Sequence, residues 1–349
     1  MSRLQELKEM LDSMMVAWNR NQKTALVMLI DVKGSAYRLP GTKMMMASDG
    51  QMCGTISGGC LESDLYGWAE KVITSETSIV HTYDLSENDI WSLGVGCKGD
   101  LEFLITPIKQ EDVFWRKVNE MTQNNCAFIL LLEVPSGARL VIKEDGTVYG
   151  DADRIPVEVI EQGFKCLNIK TRATIYSYND KRYVVDVVKP SEHLIVVGAG
   201  RDAVPVVELA RKAGFAVSVL DARTDFNNEK YFPHTSSIVL QIEEVKGEDL
   251  ANSWWIIMNH HLEKDQASLK LAIESEPKFI GVLGPMSRTQ EMLDNIQYSF
   301  QSGPIYAPIG LDIGAETMDE VAISIVSQLM SIRTGKKAKP LHGKVKIHG

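Results

Sequence analysis

HLIVVGAGRDAVPVVELARKAGFAVSVLDAR (193–223) decides how this chain folds. An apolar run ends in Gly198-Ala199-Gly200-Arg201-Asp202-Ala203, a G-x-G-x-x-A turn. DAVPVVELARKAG (202–214) then has helical periodicity and ends on Gly214, and FAVSVLDAR (215–223) reads as the next strand. Gly198 permits the tight turn, Gly200 lets a phosphate approach the backbone, and Ala203 replaces the third glycine at a helix–strand contact. The helix N-terminus offers N–H donors and a favourable dipole to an anion. Asp221 lies 21 residues after Gly200, where an acid takes ribose hydroxyls in such folds. Arg223 is placed to neutralise a phosphate, whether or not it belongs to a dinucleotide. A glycine turn without a ligand is the weaker reading, because strand, helix and distal acid coincide.

Further along, SSIVLQI (236–242), SWWIIMNHH (253–261) and PKFIGVLG (277–284) are strand-like, separated by helical stretches such as EKDQASLKLAIESE (263–276). Strands alternating with helices predict a Rossmann-like, doubly wound parallel sheet. Ligands sit at the carboxyl ends of such strands. That rule makes His260, Ser287 and Arg288 candidate wall residues, beside Gly198, Gly200, Arg201, Asp221 and Arg223. A metal pair at His260-His261 is disfavoured, because adjacent residues on an extended chain point to opposite sides.

The first half has a different pattern and predicts a mixed α/β domain. A helix opens it, with Leu4, Leu7, Leu11, Met14, Met15 and Trp18 on one face, and TALVMLIDV (24–32) follows as a buried strand. Strands are also expected at 79–85, 101–108 and 128–134. Hairpins are expected to turn at Asp145-Gly146 and Asn179-Asp180. Proline interrupts the pattern at Lys189-Pro190-Ser191. The expected division is therefore 1–189, 192–335 and a basic tail, 336–349.

Composition narrows the function classes. With 349 residues and 44% apolar content, two ordinary cores are available. A net charge of −9 argues against general nucleic-acid binding, which needs a basic surface. No stretch approaches the roughly 20 apolar residues that span a bilayer, so no membrane association is expected. The N-terminus reads as an amphipathic helix rather than a signal peptide. Five cysteines without paired metal spacing suit free thiols and a cytoplasmic protein.

Two of those thiols lie in glycine-rich loops. Ser57-Gly58-Gly59-Cys60 runs into a predicted helix, whose positive end favours thiolate. Gly96-Cys97-Lys98 lies in GVGCKG (94–99), where successive N–H groups can form an anion-binding concavity and Lys98 adds positive charge. A soft thiolate suits molybdenum, sulfur transfer or another soft metal. For one cysteine alone, a small residue filling a tight turn is the commoner role. Two in separate glycine loops favour function. Cys126 and Cys166, in apolar runs, read as core. Arg38 and Lys43 flank Pro40-Gly41 and are candidates for an anionic ligand, although a solvated charge is the simpler role for each.

RLPGTKMMMASDGQMCGTISGGCLESD (38–64), LGVGCKG (93–99), the 193–223 segment and APIGLDIGAETMDEVAISIVSQL (307–329) together resemble the XdhC/CoxI family, in the family's order. The resemblance spans nearly the whole chain and is weakest between about 110 and 188. It implies a CoxI-like N-terminal domain and a C-terminal Rossmann domain. It also implies an accessory protein, rather than a turnover enzyme, that binds molybdenum cofactor (molybdopterin), supports its sulfuration and delivers it to xanthine dehydrogenase or a related molybdoenzyme. A cysteine desulfurase is the implied second partner, and a homo-oligomer is expected. The family's glycine–cysteine loop falls on Gly96-Cys97, which makes Cys97 the leading molybdenum ligand, through the cofactor. Two departures stand out. Lys98 replaces the glycine usual after that cysteine, and Asn259-His260-His261 replaces a Thr-His-Asp-type strand end. The rival readings are an NAD(P)-dependent oxidoreductase using the Gly198–Asp221 site and a redox-sensing scaffold acting through its thiols.

Overall fold

The computed structural model describes residues 3–34, 36, 38–84, 99–135, 137–167 and 173–342. These form two compact units, 3–190 and 191–340.

In the first unit, helix α1 (Arg3–Asn19) precedes strands β1 (Thr24–Gly34), β2 (Lys43–Ala47) and β3 (Met52–Cys53), and helix α2 (Glu62–Ser75) precedes β4 (Ile79–Asp84) and β5 (Gly99–Ile108). They make an antiparallel sheet ordered β3-β2-β1-β5-β4. Helix α3 (Val113–Gln123) leads to a second antiparallel sheet, ordered β8-β7-β6-β10-β9. Its strands are β6 (Phe128–Val134), β7 (Arg139–Lys143), β8 (Val148–Gly150), β9 (Thr174–Tyr178) and β10 (Lys181–Val188), with helix α4 (Val157–Leu167) between β8 and β9.

The unbroken apolar runs in β1 and β6 follow from this layering. Leu26, Met28 and Ile30 face a core shared with α1, α3, Leu130 and Val184, whereas Ala25, Val27 and Leu29 face α2. Ile129 and Leu131 turn the other way, to α4. A strand covered on both faces loses its polar alternation.

One buried carboxylate ties the pieces of this unit together. Asp186 of β10 is fully buried and accepts from Arg3 Nη1 at 2.9 Å and from Lys43 Nζ. Arg3 also donates to Pro40 O at 3.1 Å. Gly41 sits over the cluster at φ +93°, where a Cβ would stand 2.8 Å from Ala173 Cβ and 3.0 Å from Asp186 Oδ1. Glycine is needed there on both counts.

The second unit is a six-stranded, wholly parallel sheet ordered β13-β12-β11-β14-β15-β16. Its strands are β11 (His193–Val197), β12 (Ala216–Leu220), β13 (Ser236–Ile238), β14 (Trp254–Ile257), β15 (Phe279–Val282) and β16 (Ile305–Tyr306). Helices α5 (Ala203–Lys212), α6 (Leu262–Glu274), α7 (Met286–Asn295) and α8 (Met318–Thr334) supply the covering layers. Leu194, Val196, Trp254 and Ile256 pack on one side with α5 and α8, and Ile195, Val197, Trp255 and Ile257 on the other with α6 and α7. The expected doubly wound architecture is present, and the strand order reverses between β11 and β14. That reversal opens the crevice where ligands bind in such sheets. Among the described residues no helix is long and apolar enough to cross a membrane.

Asp186→Ala should cost the protein about 3–5 kcal/mol, because Lys43 would be left as an unpaired buried charge. Denaturant melts should show Lys43→Met with Asp186→Leu recovering most of that loss.

Candidate functional site

The crevice in the second unit is built from the ends of β11, β12 and β14. Gly198 has φ +107°, and a Cβ there would lie 2.6 Å from Met258 O, so its lack of a side chain allows the two central strand ends to approach. At Gly200 a Cβ would meet a side chain rather than backbone, the carboxylate of Asp202. Gly198 is therefore required by the fold, whereas Gly200 leaves the helix N-terminus accessible. Arg201, beside it, is exposed.

Asp221 is engaged from within the chain. Its Oδ2 accepts from Ala199 N at 2.8 Å and from Arg223 Nη2 at 2.6 Å; Oδ1 accepts from Arg223 N and Nε, both at 2.9 Å. Four donors fill the roughly four acceptor positions of a carboxylate, and its side chain is 6% exposed. Burial alone would raise its pKa, but Arg223 and the Ala199 and Arg223 N–H groups outweigh this and lower it. Its carboxylate pins the glycine turn to the end of β12.

Arg223 remains at the surface, 47% exposed, with its guanidinium carbon 4.6 Å from the centre of the Phe226 ring. Asn227 fixes this turn from below by donating to Val219 O, Asp221 O and Ile238 O at 3.0 Å each. On the β14 side, His260 sits at φ +58° and its Nε2 lies 2.6 Å from Asp202 Oδ2. Asn259 donates from N and Nδ2 to Asp265 Oδ1 at 2.9 and 3.0 Å, and Arg288 binds Oδ2 of the same fully buried acid. Arg288 is thereby part of the frame, while Ser287 stays exposed in the first turn of α7.

Asp265, Asn227 and Phe226 were not singled out by the sequence reading. Asp265 did leave a sign: it shares the apolar face of α6 with Ser268, Leu269 and Ala272, and an acid on a buried face needs a partner.

The first unit answers the other candidates. Lys43 and Arg38 are spent internally, Lys43 on Asp186 and Arg38 on Glu6 at 3.0 Å. The donor groups before α2, expected to favour a Cys60 thiolate, are filled by a carboxylate of the chain. Glu62 accepts from the N–H groups of Ile56 (3.1 Å), Ser57 (2.9 Å), Gly59 (2.9 Å) and Leu61 (3.2 Å), and from Ser57 Oγ. Burial pushes its carboxyl up, but these hydrogen bonds prevail and hold it at about 2. Cys60 projects exposed from this loop. Cys166 is buried, which raises its pKa, while Cys126 is only half-buried, with Sγ 3.7 Å from Asn124 O. Gly96, Cys97 and Lys98 lie outside the described residues. Among the described residues no group of three His, Cys, Asp or Glu side chains is placed to hold a metal ion.

A wholly parallel sheet with a glycine turn at its switch point defines a Rossmann-type fold. Comparisons with known proteins specify it further. Residues 194–329 match the XdhC Rossmann domain, and 17–84 match the XdhC and CoxI family. The chain is 27% identical over 318 residues to a Bacillus subtilis protein described as a probable xanthine dehydrogenase subunit, covering 89% of this chain and 94% of that one. It is 22% identical over 313 residues to the molybdenum cofactor insertion chaperone PaoD of Escherichia coli, covering 88% and 83% respectively. A crystal structure described as a xanthine dehydrogenase from Bacillus halodurans matches 98% of the chain, and 99% of its own, at 28% identity and a TM-score of 0.80. The chain belongs to the XdhC/CoxI family.

Glu62 should make the fold acid-sensitive in a defined window. Its folded pKa is below the ordinary 4.5, so its contribution is full above that value and is lost as pH falls toward about 2. In acid titrations followed by circular dichroism, Glu62→Gln should be less stable at neutral pH and should lack this component of the pH dependence.

Proposed function

We propose that the protein binds molybdenum cofactor as cargo, supports its sulfuration and passes it to xanthine dehydrogenase or a related molybdenum hydroxylase. The observation that carries this reading is the pairing, in one crevice, of an accessible glycine turn at Gly200 with the presented Arg223 guanidinium. The names of the B. subtilis and E. coli relatives supply the class of cargo and client.

The donor set suits such a cargo. Molybdopterin carries a phosphate and soft sulfur. A helix N-terminus and an arginine fork hold phosphates, and thiolates are the side chains that suit soft metals and sulfur. Cys97 is the proposed thiol nearest the molybdenum, with the exposed Cys60 as the second candidate and a cysteine desulfurase as the sulfur source. The proposed assembly is homo-oligomeric. Retention, not turnover, is the task of the described residues: the crevice holds the ligand by its phosphate and the client removes it.

An NAD(P)-dependent oxidoreductase is the weaker reading. The acid that would take the dinucleotide's adenosine ribose is filled by Ala199 and Arg223, and His260 is engaged by Asp202.

Titration of the anaerobic protein with molybdenum cofactor, NAD and NADP tests the reading. The cofactor should bind most tightly, and no hydride transfer should accompany either nucleotide. Gly200→Val should abolish cofactor binding in a folded protein, and Cys97→Ala should lose molybdenum while Cys166→Ala retains it. Unchanged cofactor affinity in both Gly200→Val and Cys97→Ala would refute it.

A further inference from the structure

The chemistry of the Rossmann crevice narrows the class of ligand beyond a phosphate-bearing cargo. Asp221 engages Arg223 side-on, through Nε and Nη2. Side-on pairing leaves the opposite edge of the guanidinium, Nη1 with the second hydrogen of Nη2, as a complete two-donor fork. Among the described residues Nη1 has no hydrogen-bond partner.

The fork is also held in place. Phe226 backs the guanidinium plane, itself 42% exposed at the rim of the turn. The buried Asn227 anchors the segment beneath both side chains. Because Asp221 also accepts from Ala199 N, the fork is tied through one carboxylate to the glycine turn that would take a ligand's phosphate.

We propose that this crevice selects ligands bearing a terminal phosphomonoester and discriminates against those that present a ribose diol at the same place. Arg223 contacts the ester; Phe226 is a positioning residue that keeps the fork's plane fixed. A diol needs an acceptor, and every acceptor position of Asp221 is filled from within the chain. A dianionic phosphomonoester needs paired donors and positive charge, and the free edge of Arg223 supplies both. The inference rests on the crevice being the cargo's phosphate seat, and it extends that reading to the kind of phosphate and to the residue that recognises it.

NAD and NADP are suitable probes, because they differ only in a phosphomonoester on the ribose that such an acid would otherwise bind. Calorimetric titration of the full chain should give NADP an affinity at least about tenfold above that of NAD, the size of one charge-assisted pair. Arg223→Gln should bring the ratio close to one. Phe226→Ala should lower it and Phe226→Tyr should restore it, which loss of local structure alone would not do. Equal affinities in the parent protein, a ratio that survives Arg223→Gln, or binding of neither nucleotide at millimolar concentration would overturn the proposal. Molybdenum content, measured on the same preparations, separates the two readings. Molybdenum retention without nucleotide discrimination would overturn the selectivity alone. Discrimination without molybdenum would support the selectivity and count against the cargo.

Discussion

The Asp221 carboxylate is the interaction on which the Rossmann half of this protein depends. Its four hydrogen bonds join the glycine turn after β11 to the end of β12 and set the direction of Arg223. Without that acid, the Ala199 N–H would be left unpaired close to the core and the guanidinium would swing freely. The carboxylate converts a mobile arginine into a directed donor, and fixed donors lose little entropy when a ligand arrives.

Elsewhere the same device appears with a different outcome. Glu62 fills the donor-rich loop before α2, and Asp186 neutralises Lys43 and Arg3 at the joint of the first unit. Asp265 does the same for Asn259 and Arg288 behind the crevice. In each case an internal anion occupies the donors, and at Lys43 and Arg288 these are donors that the sequence alone offers to a ligand. At Arg223 the internal pairing leaves the Nη1 edge of a half-exposed guanidinium without a partner among the described residues.

That contrast explains what was legible in the sequence. Periodicity is local, so β1, β6, β11 and α5 could be read from the chain, and so could the parallel sheet implied by alternating strands and helices. The turn pairs Asn179-Asp180 and Asp145-Gly146 declared their hairpins through residues that accept positive φ. Helix α4, by contrast, lies in the stretch where the family resemblance is weakest, and α7 begins directly after Pro285, just past the strand read at 277–284. The partners of charged residues were less accessible still. Lys43 and Asp186 are 143 positions apart, and Asp265 meets Arg288 only through the packing of α6 against α7. Spacing rules identify which residues approach a crevice, but whether a charge is free depends on long-range pairing that a linear pattern does not carry.

The most direct measurement is the molybdenum and pterin content of the full-length protein purified anaerobically from cells that make the cofactor. Cargo retention predicts both, in equal molar amounts, released together when the protein unfolds and absent from Gly200→Val. A folded protein free of pterin and molybdenum, or one that carries them undiminished in the Gly200→Val variant, would contradict a phosphate seat at the Rossmann crevice.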